Sequence, residues 1–127
     1  MTTNPEDLKS RALAFYDALI VRRDIDEALS YVGEPYIQHN PMLPDGTDGL
    51  RFVADMFRRE YPLAQSTVKQ AFVDGDYVIL HVLSRRSPEG PERAIVDIFR
   101  FEDGLIREHW DVIQEVPANP VNTNGMF

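Results

Sequence analysis

The chain contains no cysteine. Disulfides, thiolate nucleophiles and thiolate metal sites are therefore excluded together. No run approaches the roughly 18 consecutive apolar residues that span a bilayer, so no membrane partner is expected. Grouped positive charge is missing too: 13 Lys and Arg are scattered against 21 Asp and Glu, for a net charge of −8. A nucleic-acid binder displaces counterions from phosphates with clustered cations, and this balance argues against one. There is no Gly-rich phosphate loop and no Gly-x-Ser-x-Gly elbow, which removes a nucleotide site and the commonest serine nucleophile. Residues 1–19 lack the apolar block and small-residue cleavage site of a secretory signal, and a cytoplasmic location is the expectation.

What is present is enough for one core. A chain of 127 residues, 43% of them hydrophobic, has the size of a single domain. We expect it to span 1–127, with an irregular tail from about 115. Asn4-Pro5-Glu6-Asp7 has the chemistry of a helix start: a capping side chain, proline in the first turn, then acids facing the helix dipole. Leu8, Ala12, Phe15, Tyr16, Leu19 and Ile20 follow at helical spacing as far as Arg22. Asp24 can cap a short second helix through Ile25, Ala28, Leu29 and Val32, ended by Gly33 and Pro35. "PYIQHNP" reads as a brief extended segment. Thr47 or Asp48 can cap a third helix that buries Leu50, Phe52, Val53, Met56, Phe57 and Tyr61 and stops at Pro62.

The remainder reads as β. Residues 67–73 and 77–85 flank "DGD", and residues 94–102 and 105–114 flank Asp103-Gly104, a favoured two-residue hairpin turn. Helices first and a four-stranded antiparallel meander afterwards predict an α+β domain: one curved sheet with the helices packed on its concave face. Such a cone closes imperfectly at its wide end, where a pocket can form.

Side-chain alternation then assigns the pocket wall. With Glu102 opposite Leu105, one face of the last hairpin carries Asp97, Phe99, Phe101, Ile106, Glu108, Trp110 and Val112. The other carries Val96, Ile98, Arg100, Arg107, His109, Asp111 and Ile113. The aromatic face should be the concave one, which sets Asp97 and Glu108 among Phe99, Phe101 and Trp110. A carboxyl in such surroundings has a raised pKa, the property an acid–base catalyst near neutral pH needs. A β-bulge between Trp110 and Asp111 would turn Asp111 inward as well, and bulges concentrate beside active sites. In simple alternation His109 faces outward. His81 interrupts the apolar strand Tyr77–Leu83, on the sheet beside Asp97. His39, with Tyr36, Gln38 and Asn40, leads into the loop that should border the mouth. The apolar residues on both faces of that strand suggest a cover on its outer side. His39, His81 and Asp97 could also supply two imidazoles and one carboxylate to a metal, although their spacing carries no metal signature and none is expected.

"YIQHNPMLPDG" ahead of the third helix, "AIVDIFRFEDG" and "EHWDVIQ" resemble the SnoaL-like proteins of the ketosteroid-isomerase-like, or nuclear transport factor 2-like, superfamily. The resemblance spans nearly the whole chain. It implies an α+β cone with a deep pocket and a homodimer formed through the sheet. Polyketide cyclases of that group close rings by intramolecular aldol chemistry, without a cofactor, using an aspartate as acid–base. Aligned on the Asp-Gly turn, that aspartate matches Asp111, and Asp97 stands where the cyclases carry a pocket histidine. Trp110 replaces a basic residue of the cyclase pattern. Other members of the superfamily are isomerases, dehydratases, epoxide hydrolases and non-catalytic binding domains.

The expectation is a cofactor-free acid–base enzyme acting on a small apolar or aromatic carbonyl compound by cyclisation, isomerisation or dehydration. Asp97 or Asp111 would move the proton, and His39, His81 or Tyr36 would stabilise the enolate oxygen. Phe15, Tyr36, Asn40, Phe99, Glu108 and Trp110 would hold the substrate. The competing classes are a non-catalytic binding or dimerisation module, whose pocket would be filled by its own side chains, and a hydrolase using a carboxylate-held water.

Overall fold

Asn4 caps the first helix by accepting the Asp7 N–H at 2.9 Å, with Pro5, Glu6 and Asp7 forming the first turn of α1 (Pro5–Tyr16). This is a computed structural model, and it describes residues 4–127. A π-helical turn, Asp17–Val21, prolongs α1 to Arg22. Asp24 caps α2 (Ile25–Leu29) through the Glu27 N–H. That helix is shorter than its apolar spacing suggests, because Val32 already begins the extended segment β1 (Val32–Gln38). Helix α3 (Gly46–Glu60) starts one residue before the expected caps, at a glycine whose φ of 70° places it in the left-handed region. Pro62 follows its end, where no N–H remains to continue the ladder.

Strands β2 (Gln65–Asp74), β3 (Tyr77–Arg85), β4 (Glu92–Glu102) and β5 (Leu105–Glu115) form the expected antiparallel meander. The short segment β1 adds a fifth strand, parallel to β5, so the sheet order is β1-β5-β4-β3-β2. Asp103 and Gly104 turn the last hairpin with φ values of 54° and 78°, the doubly left-handed turn that Asp-Gly favours.

Helices α1 and α3 cover one face of the curved, unclosed sheet. Leu8, Ala12 and Phe15 from α1 and Leu50, Val53 and Phe57 from α3 meet Val78, Leu80, Val82, Phe99 and Ile106 from the strands. Phe15 stands edge-on to Phe99 at 5.7 Å. Each such side chain taken out of water contributes about 1.5–3 kcal/mol, which is what binds the helical stripe to the sheet. No helix among the described residues is long and apolar enough to cross a membrane.

One irregularity in this sheet decides the site. Phe101 lies opposite Ile106, but Arg100 lies opposite Glu108, so Arg107 is an extra residue in β5. Arg107 is fixed there by donating Nε–H to the Pro35 carbonyl at 2.8 Å and by an ion pair with Glu102 at 2.5 Å. An extra residue shifts the phase of every side chain beyond it. From position 108 onward the face assignment is therefore the reverse of simple alternation.

Candidate active site

Beyond the bulge, Asp97 lies opposite Asp111 and Phe99 opposite His109, so all four point to the concave side. Asp97 and His109 are buried. His109 Nε2 and Asp97 Oδ1 are 2.8 Å apart, and Asp111 Oδ2 is 4.0 Å from the same nitrogen. Asn40 Nδ2 donates to Asp111 Oδ2 at 3.0 Å. On the far side of the ring, His109 Nδ1 is 2.8 Å from Gln38 Oε1, which also accepts the Asn40 N–H at 2.9 Å. The backbone donor identifies that Gln38 atom as oxygen, so His109 Nδ1 carries a hydrogen. One remaining proton is then shared between Nε2 and Asp97 Oδ1. The pair is either imidazolium and carboxylate or imidazole and carboxylic acid, with the same net charge.

Burial pushes the Asp97 carboxyl up from its ordinary pKa; the hydrogen bond and charge of His109 pull it down, and the Asp111 charge raises it again. Desolvation is the largest of these and wins. Two phenols share the environment. Burial foremost, and then the Asp97 charge, raise the pKa values of Tyr16 and Tyr36, which keeps both phenols protonated as donors. The cavity in front of the cluster holds about 550 Å³ and is walled by Phe15, Tyr16, Tyr36, Met56, Phe57 and Phe99, among others. A carboxylate–imidazole–carboxylate cluster facing apolar walls can accept a proton at one oxygen and return it from another group.

The expected site residues divide between the two sides of the sheet. Asp97, Asp111, Tyr36, Asn40, Phe99 and Phe15 line the cavity. His39, His81, Glu108 and Trp110 do not, and their placement corrects the alternation argument. The bulge at Arg107 sends Glu108 and Trp110 to the outer face. His39 follows them, pairing with Glu108 at 2.7 Å and stacking on Trp110 with ring centroids 4.7 Å apart. His81 neighbours Asp97 only through the backbone, since Leu80 is the residue opposite Asp97. Its ring lies outside, near Gln70 and stacked on Phe127 at 5.5 Å. His39, His81 and Asp97 therefore cannot share a metal. The grouping with ligand spacing is Asp97, His109 and Asp111, whose donor atoms lie within 4.8 Å of one another. Two carboxylates and one imidazole would suit a hard or borderline divalent cation, which would have to displace the Asp97–His109 hydrogen bond.

Simple alternation assigns His109 to the outer face, Gln38 stands in the sequence as one of four polar groups at the mouth, and Tyr16 reads only as part of the apolar helical stripe. Gln38 shares its parity in β1 with Tyr36 and Asn40, a signal that separates these three from His39. His109 shares parity with Asp111, so an extra residue ahead of both, as at Arg107, turns both inward, whereas one between Trp110 and Asp111 would turn Asp111 alone.

Residues 12–109 match the family model of the SnoaL-like domain. The sequence matches none of the curated proteins. Among solved structures, TsrD from Streptomyces laurentii is similar at a TM-score of 0.74 and 20% identity, over 88% of this chain and 91% of that one. A candidate ketosteroid isomerase from Kribbella flavida DSM 17836 has a TM-score of 0.74 and 23% identity, over 94% and 87% of the two chains. A candidate polyketide cyclase from Bacillus cereus ATCC 10987 gives 0.73 and 24%, over 84% and 74%. At these identities the likeness is one of fold.

Proposed function

The chain belongs to the SnoaL-like domain family, and from that premise we propose that its cavity binds a small carbonyl compound and moves a proton next to the carbonyl, without a cofactor. The single observation that carries the reading is the Asp97–His109–Asp111 cluster at the wall of a cavity whose helical side is apolar and aromatic. Asp111 is the base. It lines the cavity and holds a neutral hydrogen bond from Asn40, whereas Asp97 is engaged by the imidazole at 2.8 Å. The proton shared by Asp97 and His109 is the acid that answers it. It goes back to the same carbon in exchange, to the γ-carbon of a dienolate in isomerisation, to the new alkoxide in aldol closure or to a leaving hydroxyl in dehydration. The proton taken by Asp111 then restores the pair across the 4.0 Å to His109 Nε2. Tyr16 and Tyr36 donate to the developing enolate oxygen, a preorganised stabilisation that needs no reorientation. Ring closure by aldol addition, isomerisation and dehydration all begin with this step.

The test is α-proton exchange of aryl ketones in deuterated water, followed by NMR. Wild type should exchange faster than buffer. Asp111→Asn should lose about 100-fold or more of the enzymatic rate, in the range for a single acid–base group, and Asp97→Asn about tenfold, below that range because His109 still lines the site. Exchange untouched by both substitutions would remove this mechanism and leave a binding module.

A further inference from the structure

The mouth of the cavity adds two arginines to the carboxylates. A second hollow of about 570 Å³ shares Asn40, Met42, Arg86, Arg93, Asp111 and Ile113 with the inner cavity, which makes it the vestibule. Arg22, Arg58, Arg85, Arg100 and Arg107 each have a carboxylate within 4.0 Å. Among the described residues Arg86 and Arg93 have none, like Arg11, Arg23, Arg51 and Arg59, but of these six only Arg86 and Arg93 line the cavity and its vestibule. The Arg86 guanidinium carbon sits 4.9 Å from the centre of the Tyr61 ring, which fixes the fork, and its Nε is buried with no hydrogen-bond partner among the described residues. Arg93 is partly buried, and its pKa is lowered by that burial first and by the Arg86 charge second. Glu115 and Asp111 act on Arg93 in the opposite sense but stand outside ion-pair distance.

Two neighbouring guanidiniums, partly desolvated and unpaired in a chain with 21 acidic side chains, cost stability unless an anion occupies them. We infer that Arg86 and Arg93 anchor a carboxylate of the ligand at the vestibule, so that the substrate class is an apolar-ringed oxo acid with its carbonyl turned toward the inner cluster. The assignment to an oxo acid rests on the proton-transfer reading above; the anion anchor itself does not. A planar carboxylate matches the guanidinium fork. Asp111 and Glu115 share the vestibule wall, and a phosphate dianion would be repelled by them twice as strongly as a carboxylate.

Binding of 2-naphthoate, methyl 2-naphthoate and 2-naphthyl phosphate, titrated by fluorescence, tests the anchor without reading turnover. With wild type, the acid should bind about tenfold tighter than its neutral ester, as expected for a charge-assisted contact, and no more weakly than the phosphate. The acid-to-ester ratio should fall to about one in Arg86→Gln/Arg93→Gln and be partly retained in Arg86→Lys/Arg93→Lys. Equal affinity of acid and ester, a ratio that survives the double Gln substitution, tighter binding of the phosphate, or no binding of the acid would each overturn the assignment. Because the ratio compares two ligands on one variant, a general loss of packing does not imitate the result. Asp111→Asn should keep the preference even if proton exchange proves absent, so the two readings can fail separately.

Discussion

Two carboxylate–imidazole pairs lie on opposite faces of the β4–β5 ribbon. Asp97 and His109 meet at 2.8 Å on the concave side, with side chains 8% and 9% exposed; Glu108 and His39 meet at 2.7 Å on the convex side, 17% and 42% exposed. The chemistry is the same and the distances nearly so, yet the carboxyls shift in opposite directions. The hydrogen bonds from His39 and Arg100 lower the Glu108 pKa, whereas burial raises that of Asp97. Where the carboxyl stays partly solvated its hydrogen-bond donors decide the proton affinity; where it is buried desolvation does. The inner pair lines the cavity of about 550 Å³, which neither His39 nor Glu108 does.

The sharpest way to break the comparison is to remove an acid from each face. Asp111→Asn should abolish about 99% of any proton-exchange activity, while Glu108→Gln should leave it within about twofold, because the outer face touches no substrate. Deleting Arg107 tests the device that separates the faces. Without the extra residue, His109 and Asp111 return to the outer side, so exchange should fall as far as in Asp111→Asn and the melting temperature should drop. Retained exchange with unchanged melting would show that the phase is set elsewhere.

Thermal stability against pH sharpens the comparison further. A carboxyl whose folded pKa is raised holds its proton in the native state after the unfolded chain has lost it. Stability from this group therefore falls as pH rises from the ordinary carboxylate value up through the folded one. Asp97→Asn removes that penalty, and its amide can donate to the Nε2 of neutral His109. The variant should melt higher than wild type at neutral pH, with the gain shrinking toward zero below about pH 4. Glu108 has the reverse sign: its lowered folded pKa contributes stability at neutral pH that is lost as pH falls through it. The smallest effect belongs to that exposed pair. His39→Gln should cost below about 1 kcal/mol in a denaturant melt, since exposed ion pairs are screened by solvent.

The fold was legible because its signals are local. Asn4 and Asp24 cap helices, Pro62 ends one, and Asp103-Gly104 turns the hairpin, each within a few residues. The parallel pairing of β1 with β5 was not, since a seven-residue segment containing Gly33 and Pro35 gains its partners from a distant part of the chain. The cavity residues Asp97, Phe99, Tyr36, Asn40 and Phe15 could be reached from alternation and helical spacing. His109 could not, and Glu108, Trp110, His39 and His81 were placed on the wrong side of the sheet. For His109, Glu108 and Trp110 the cause is one residue, whereas His39 is turned outward by the parity that continues from β1. The bulge that turns Asp111 inward lies at Arg107 rather than between Trp110 and Asp111, where Arg107 meets the Pro35 carbonyl and Glu102. For His81, the period of the strand already pointed away from Leu80 and the core.

The proposed chemistry depends on Asp97 being buried on the concave face and Glu108 being turned to the outer one. Carboxyl carbon-13 NMR of Asp97 and Glu108 across pH 2 to 9 measures that sorting directly. Asp97 should titrate above the ordinary carboxylate range and Glu108 below it; both titrating at ordinary values, or in the reverse order, would contradict the assignment of faces on which the proposed chemistry stands.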